Sequence, residues 1–394
     1  MELNPFAYEF HDDPYPTYTW LREQAPLYRN EKLDFWALSR FRDVLSGLVD
    51  WKTYSSAEGI LLERLDPRMF DVTPMMIFMD PPRHDRLRRL VSHAFTARRV
   101  ADLELLIRDT AVRLVDQLDA AGGGDFVKDL SGPFPMEVIF TLIGVPDADR
   151  GQLRAWTDQA LDRDPDRPDI PPRAVEASLE LMRYWFGLLE DLRRRPNDGL
   201  MCALMDAEVS TDDGSTTRLS DGEIVGFCSL LGGAGTETTT KLLGYAAVLF
   251  ARHLEAYDTV RADHTRLPGA VEELLRYTSP AQYAARTVTR DVEWYGQIVP
   301  KNSRLLFLIG AANRDPAEFD RPDTFDINRN ISQALGFGQG VHFCLGANLA
   351  RLETRIALEE FMTRFPRYTV DEARCERVHM SNVHGYASVP FARC

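Results

Sequence analysis

The chain has 394 residues, 44% of them apolar and 27% charged, the composition of an ordinary globular protein long enough to bury a large core. A formal net charge of −14 argues against nucleic acid or an anionic membrane as the main partner. No run of about 18 uncharged apolar residues occurs, and the acidic, proline-bearing start lacks the basic and apolar regions of a secretory leader, so a cytoplasmic protein without a membrane anchor is expected.

Residues 34–39 (DFWALS) alternate as a strand does. Residues 59–82 mix prolines with Met69, Met75, Met76 and Met79, and are either a packed surface loop or an adaptable apolar binding element. Helical spacing follows over 100–119, 133–143 and 174–194, with a polar loop at 161–172. Ser220 and Glu223 form a capping box that opens a helix running to 253, about 50 Å long and apolar almost all round. Such a helix must cross the middle of the molecule. A further helix is expected at 269–277. Strands are expected within 292–309, joined by turns at Tyr295-Gly296 and Pro300-Lys301-Asn302, and a last helix spans 346–364. With no repeat or linker, residues 1–394 read as a single domain, mainly α with small β-sheets whose strands cluster towards both ends.

Two stretches break these patterns. LGGAGTETTT (231–240) places three glycines, four threonines and a glutamate inside the long helix, where glycine and threonine are poor helix formers and a buried carboxylate needs a partner. LGFGQGVHFCLGANLARLE (335–353) surrounds Cys344 with Gly336, Gly338, Gly340 and Gly346 just before a helix. Glycines allow a tight loop, and a helix N-terminus lowers a thiol pKa, so Cys344 reads as an exposed thiolate. The other four cysteines (Cys202, Cys228, Cys375, Cys394) read as small buried hydrophobes. Their scatter and odd number argue against a disulfide scaffold or a zinc site.

The frame Phe337, Gly340, His342, Cys344, Gly346 resembles the haem-binding signature of the cytochromes P450, Phe-x-x-Gly-x-(Arg/His)-x-Cys-x-Gly, at every fixed position. Glu273-x-x-Arg276, Arg329 in FDINR, the DPPRHDRLRR stretch and Ala234-Gly235-Thr236-Glu237-Thr238 are similar to further family motifs. PYPTYTWLREQAP and VHGYASVPF extend the resemblance over the whole chain. It implies the P450 fold, with the long helix over a haem b and the Cys344 loop beneath it. Cys344 would be the metal ligand. Phe337, Gly338, Gly346, Ala234 and Gly235 would lie against the haem, and His84, Arg88, Arg286 and His342 would reach its propionates. Glu273, Arg276 and Arg329 would form a buried structural triad. One departure is Gln333, where many bacterial members carry histidine, which bears on the packing of that loop.

The implied activity is a monooxygenase reaction with O2, in which Thr238 hydrogen-bonds the oxygen being reduced and Glu237 passes protons inward. The make-up of LGGAGTETTT is then accounted for: small residues leave room, and the polar ones serve the reaction. No flavin or iron–sulfur domain fits in the chain, so electrons would come from a separate ferredoxin and ferredoxin reductase, docking near Arg86, Arg89 and Arg351. Met75, Met76, Ile77, Ala281, Gln282, Tyr283, Asn382 and Val383 are pocket candidates. They are mostly apolar, as expected for a hydrophobic small-molecule substrate such as a terpenoid, branched lipid, fatty acid or steroid, and the protein is expected to be a monomer. A peroxide-driven haem enzyme and a non-catalytic haem sensor are the rival readings; neither needs the Glu237–Thr238 pair.

Overall fold

The computed structural model of the chain describes residues 1–63, 71–92, 103–164, 170–210, 216–380 and 382–394. Met69 and part of the polar 161–172 loop lie outside the described residues. The helices that position the site are α1 (Tyr15–Gln24), α2 (Phe41–Val49), α3 (Arg83–Ser92), α4 (Glu104–Ala121), α5 (Pro133–Ile143), α6 (Arg150–Leu161), α7 (Pro172–Arg194), α8 (Asp221–Arg252), α9 (Leu267–Thr278) and α10 (Ala347–Arg364). The central strands are β1 (Leu27–Asn30), β2 (Phe35–Leu38), β3 (Tyr54–Ser55), β4 (Ala284–Val288) and β5 (Arg304–Phe307), in the order β1-β2-β5-β4-β3.

Helix α8 is the axis of the molecule and packs against α5, α7, α9 and α10. Twenty of its 32 residues are buried, which is why its sequence shows little amphipathic stripe. The capping box is formed: Ser220 Oγ accepts from the Glu223 N–H at 3.3 Å, and the Glu223 carboxylate accepts from the Ser220 N–H at 2.9 Å. The sheet joins distant parts of the chain. Strand β5 runs parallel to β2, with Arg304 opposite Phe35, and antiparallel to β4, with Leu305 opposite Arg286. The expected turns lie beside it, with Tyr295, Gly296 and Asn302 all at positive φ.

Periodicity did not reveal α1, α2 or α6. Helix α2 contains Gly47, a helix-weakening residue, because the Phe307 ring of β5 sits 2.0 Å from where a Cβ would stand. Close packing between helix and sheet selected glycine there against local propensity. Among the described residues no helix is long and apolar enough to cross a membrane.

Candidate active site

The site lies between α8 and the Cys344 loop, around a cavity of about 290 Å³. The glycines of α8 divide into two uses. A Cβ at Gly222 would stand 2.1 Å from the Val72 carbonyl oxygen, and one at Gly226 would stand 2.3 Å from that of Pro74. The 72–79 segment therefore lies directly on the helix and presents Met76 and Ile77 to the cavity. Just over two turns beyond Gly226, Ala234 and Gly235 line the cavity, and Ala234 is exposed within it although it sits mid-helix. Thr236 donates to the Gly232 and Gly233 carbonyls at 2.8 and 3.2 Å, and Thr238 to that of Ala234 at 3.1 Å. These hydroxyls share carbonyls already bonded within the helix, so α8 stays α-helical throughout. The local opening that so many threonines suggest does not occur.

Opposite α8, Gly338 and Gly340 take φ values of 67° and 72°, which lets the loop curl so that the Cys344 N–H donates to the Phe337 carbonyl at 2.9 Å. A Cβ at Gly340 would meet the Val49 Cα at 2.9 Å, so the loop also rests on α2. The thiol is half-buried and lines the cavity. Its environment corrects one expectation: burial pushes the Cys344 pKa up. The Gly346 N–H, Arg88 and Arg351 pull it down by less.

A buried network anchors this loop. Arg276 makes a bidentate pair with Glu273 at 2.7 and 2.8 Å, both side chains fully buried, and Arg329 joins Glu273 at 3.3 Å. Arg276 also donates to the Asn313 carbonyl at 2.9 Å. The Asn313 side chain accepts from the Leu335 N–H at 2.8 Å and donates to Ser279 at 2.8 Å. Asn313, which sequence reasoning passed over, thus connects the triad to the first residue of the loop.

His84, Arg88, Arg286 and His342 all line the cavity. The Arg88 guanidinium donates to the Val341 and Phe343 carbonyls at 3.0 and 2.6 Å. Arg286 is buried, donates to the Ala285 carbonyl at 2.8 Å and forms no ion pair among the described residues; burial, then nearby Arg304, pushes its pKa down to about 10. His84 bonds Asp85 through Nδ1 at 2.9 Å, while its buried Nε2 has no partner. His342 lies 4.5 Å from the His84 ring and 3.1 Å from Ser56 Oγ; burial, then Arg286, pushes it down to about 3, so it is neutral. A buried guanidinium without a carboxylate and an orphaned imidazole nitrogen on one wall require an anionic group there. A half-buried thiol stands on the same cavity. This donor set fits an iron porphyrin carrying carboxylates.

Glu237 is buried and pairs with Lys241, one turn along α8, at 3.1 Å, not with a core arginine. Its carboxyl also meets Asp158 of α6, whose side chain is 55% exposed; desolvation, then the charge of Glu237, pushes Asp158 up to about 6. Of the pocket candidates, Met76, Ile77, Ala281, Tyr283 and Asn382 line the cavity, whereas Met75, Gln282 and Val383 do not. Gln282 is wholly buried as a core tie, accepting from the Tyr18 hydroxyl at 2.8 Å and donating to the Thr278 and Ser279 carbonyls. Val383 bridges Ala281 through its backbone, and Met75 caps the short turn Met76–Phe78. Of the docking arginines, Arg86 is paired with Glu223 and Arg351 with Glu272, each at 2.5 Å, leaving Arg89 exposed. Cys202 and Cys228 are buried, but Cys375 is half-buried and Cys394 exposed.

The family model for cytochrome P450 matches residues 188–382. The chain is 46% identical to putative cytochrome P450 123 of Mycobacterium tuberculosis, covering all of this chain and 97% of that one. It is 35% identical to the cytochrome P450 monooxygenase PikC of Streptomyces venezuelae, covering 99% and 94%. The structure of CYP109E1 from Bacillus megaterium in complex with testosterone superimposes with a TM-score of 0.89 at 29% identity, covering 98% and 99%. Sequence, fold and a thiol-bearing cavity that fits a haem iron agree: the chain belongs to the cytochrome P450 family and is a P450 monooxygenase.

Proposed function

We propose that this enzyme inserts one oxygen atom from O2 into a hydrophobic substrate of steroid, terpenoid or branched-lipid size, with haem b as cofactor and electrons from a ferredoxin and its reductase. The observation that carries the substrate class is the cavity wall. Ile60, Met76, Ile77, Phe227, Leu231 and Ile309 line the cavity that the thiol shares. CYP109E1, so similar in fold, was solved with testosterone. A ferredoxin donor acting on a cytoplasmic monomer completes this reading.

When bound, haem iron would supply the oxygen-activating chemistry, and the Cys344 thiolate would hold it. His84, Arg88, Arg286 and His342 would hold the propionates, charge-assisted bonds being about twice as strong as neutral ones. Ala234 and Gly235 keep α8 clear of the reacting volume. Solvent protons reach Asp158, pass to Glu237 inside, and go on towards the Thr238 hydroxyl, which orients the proton acceptor. The apolar wall excludes water and holds the substrate.

Reduced protein under carbon monoxide should show the optical signature of thiolate ligation, and Cys344→Ala should abolish it. Testosterone should shift the iron spin state, whereas small polar acids should not. Product should form with ferredoxin and O2 and not with peroxide alone; the reverse dependence would establish a peroxide-driven enzyme, and binding without turnover a sensor.

A further inference from the structure

One wall of the cavity is stitched from two chain segments far apart in sequence. The Gln282 N–H donates to the Asn382 carbonyl at 2.8 Å, the His384 N–H donates to that of Pro280 at 2.9 Å, and Ala281 and Val383 form an antiparallel bridge. Pro280, Ala281, Tyr283 and Asn382 face the cavity. The back of this wall is covered by a short N-terminal helix, Tyr8–Asp12, through ring contacts. The His11 ring lies 4.2 Å from that of His384 and 5.6 Å from that of His379. Phe10 meets His384 at 5.5 Å, and Tyr8 stacks on His379 at 3.5 Å.

The three imidazoles are short of partners. His11 Nε2 bonds the Pro5 carbonyl at 3.0 Å, which makes Nε2 the donor and leaves Nδ1 a lone pair that no described residue meets. Neither nitrogen of the fully buried His384 has a protein partner. His379 Nε2 stands 3.8 Å from Asp12, beyond hydrogen-bond distance. A phenylalanine at 384 would fill the same space with no buried N–H or lone pair left over, each of which costs stability. What histidine adds there is the capacity to take up a proton.

The surroundings oppose that uptake while the seam is closed. His384 faces His11, His379 and Arg377, and His11 faces His379, His384 and the Pro5 carbonyl. Among the described residues the one carboxylate facing the cluster is the exposed Asp12, beside His379. A single charge can rest at His379, whereas a second would place like charges 4.2 or 5.6 Å apart in a buried layer near Arg377. In keeping with this, burial, then His379, pushes His11 down to about 4, and burial, then His11 and Arg377, pushes His384 well below the ordinary histidine range.

Resting on the reading of this cavity as the substrate pocket, we propose that the His11–His379–His384 seam is an acid-operated latch on substrate binding: protons taken from solvent part the N-terminal helix from His384 and loosen the wall that carries Asn382. A ring freed into water titrates near 6.5, so at pH 5 each imidazole released favours the open seam by about 30-fold. The latch is closed above that value, opens as pH falls, and closes again when neutral pH returns.

The test uses the haem-loaded protein. Measured against α8, peptides containing His11 and His384 should exchange amide hydrogens at least about 30-fold faster at pH 5 than at pH 7.5, after correction for intrinsic rates. Testosterone, followed by the spin-state shift, should bind about tenfold more weakly at pH 5, with the carbon monoxide signature of thiolate ligation unchanged. His384→Phe removes a titrating ring without removing a side-chain hydrogen bond, and it should suppress both acid effects. The exchange profile of the parent decides the matter if that variant fails to fold. Equal relative exchange at the two pH values, faster exchange with unchanged affinity, or an acid response in His384→Phe equal to the parent's would each overturn the proposal. Failure of testosterone to bind at pH 7.5 would count against the substrate reading while the exchange comparison still tests the latch, so the two failures are distinguishable.

Discussion

Gly226→Ala and Gly233→Ala make one chemical change in the same helix with opposite expected signs. A methyl group at Gly226 would stand 2.3 Å from the Pro74 oxygen, 2.9 Å from its carbonyl carbon and 3.1 Å from that of Thr73. All three are backbone atoms, so the 72–79 loop must retreat by more than about 1 Å to restore contact distance. Overpacking of this kind costs about 1–3 kcal/mol, and removing a helix-interior glycine returns about 1 kcal/mol. Gly226→Ala should therefore destabilise by about 0–2 kcal/mol. At Gly233 nothing lies within 4 Å of the added carbon, so only the helix gain of about 1 kcal/mol remains. Thermal midpoints measured at one scan rate should fall for Gly226→Ala and rise for Gly233→Ala. Displacing Met76 and Ile77 should also weaken ligand-induced spin shifts in the first variant alone. A rise in stability for Gly226→Ala as large as that for Gly233→Ala would refute the argument that the loop is seated on the helix.

Arg276→Leu removes both bonds to buried Glu273 and one to the Asn313 carbonyl, and breaking such a pair costs about 3–5 kcal/mol. Denaturant midpoint and thiolate ligation should fall together; an unchanged midpoint would show that the triad does not hold the loop. Asp158→Asn should slow proton-limited turnover and erase an inflection near pH 6 in the pH–rate profile, while a profile identical to the parent would remove Asp158 from the path. His11 packs 4.2 Å from the His384 ring, and burial, then His379, pushes it down to about 4. The folded state keeps it neutral while the unfolded chain takes up a proton below about 6.5, so its stabilising share is complete above that pH and disappears as pH falls towards 4. His11→Gln should flatten the stability slope between pH 6.5 and 4 by one proton, and an unaltered slope would contradict this assignment.

The sequence was most legible where one residue had to satisfy a backbone requirement. Gly338 and Gly340 need positive φ, Ser220 and Glu223 cap α8, and the spacing over 133–143 and 346–364 fell within a residue of the observed helices. It was least legible where tertiary contact overrode local preference. Gly47 sits inside α2 because of Phe307, and Asp158 acquires its role only because α6 lies against Glu237. Gln282 resembled a pocket residue by its neighbours in the chain, yet its amide is consumed by Tyr18, Thr278 and Ser279.

The order β1-β2-β5-β4-β3 has a consequence for how the chain is made. Strands β1 to β3 leave the ribosome about 230 residues ahead of β4 and β5, which must insert between β2 and β3. At about 5–20 residues per second they wait some 10–50 seconds with open edges, an interval in which they can pair with a neighbouring nascent chain. Slower growth temperature or added chaperone should therefore raise the soluble yield, with the benefit tracing to the N-terminal strands and not to the haem-binding half.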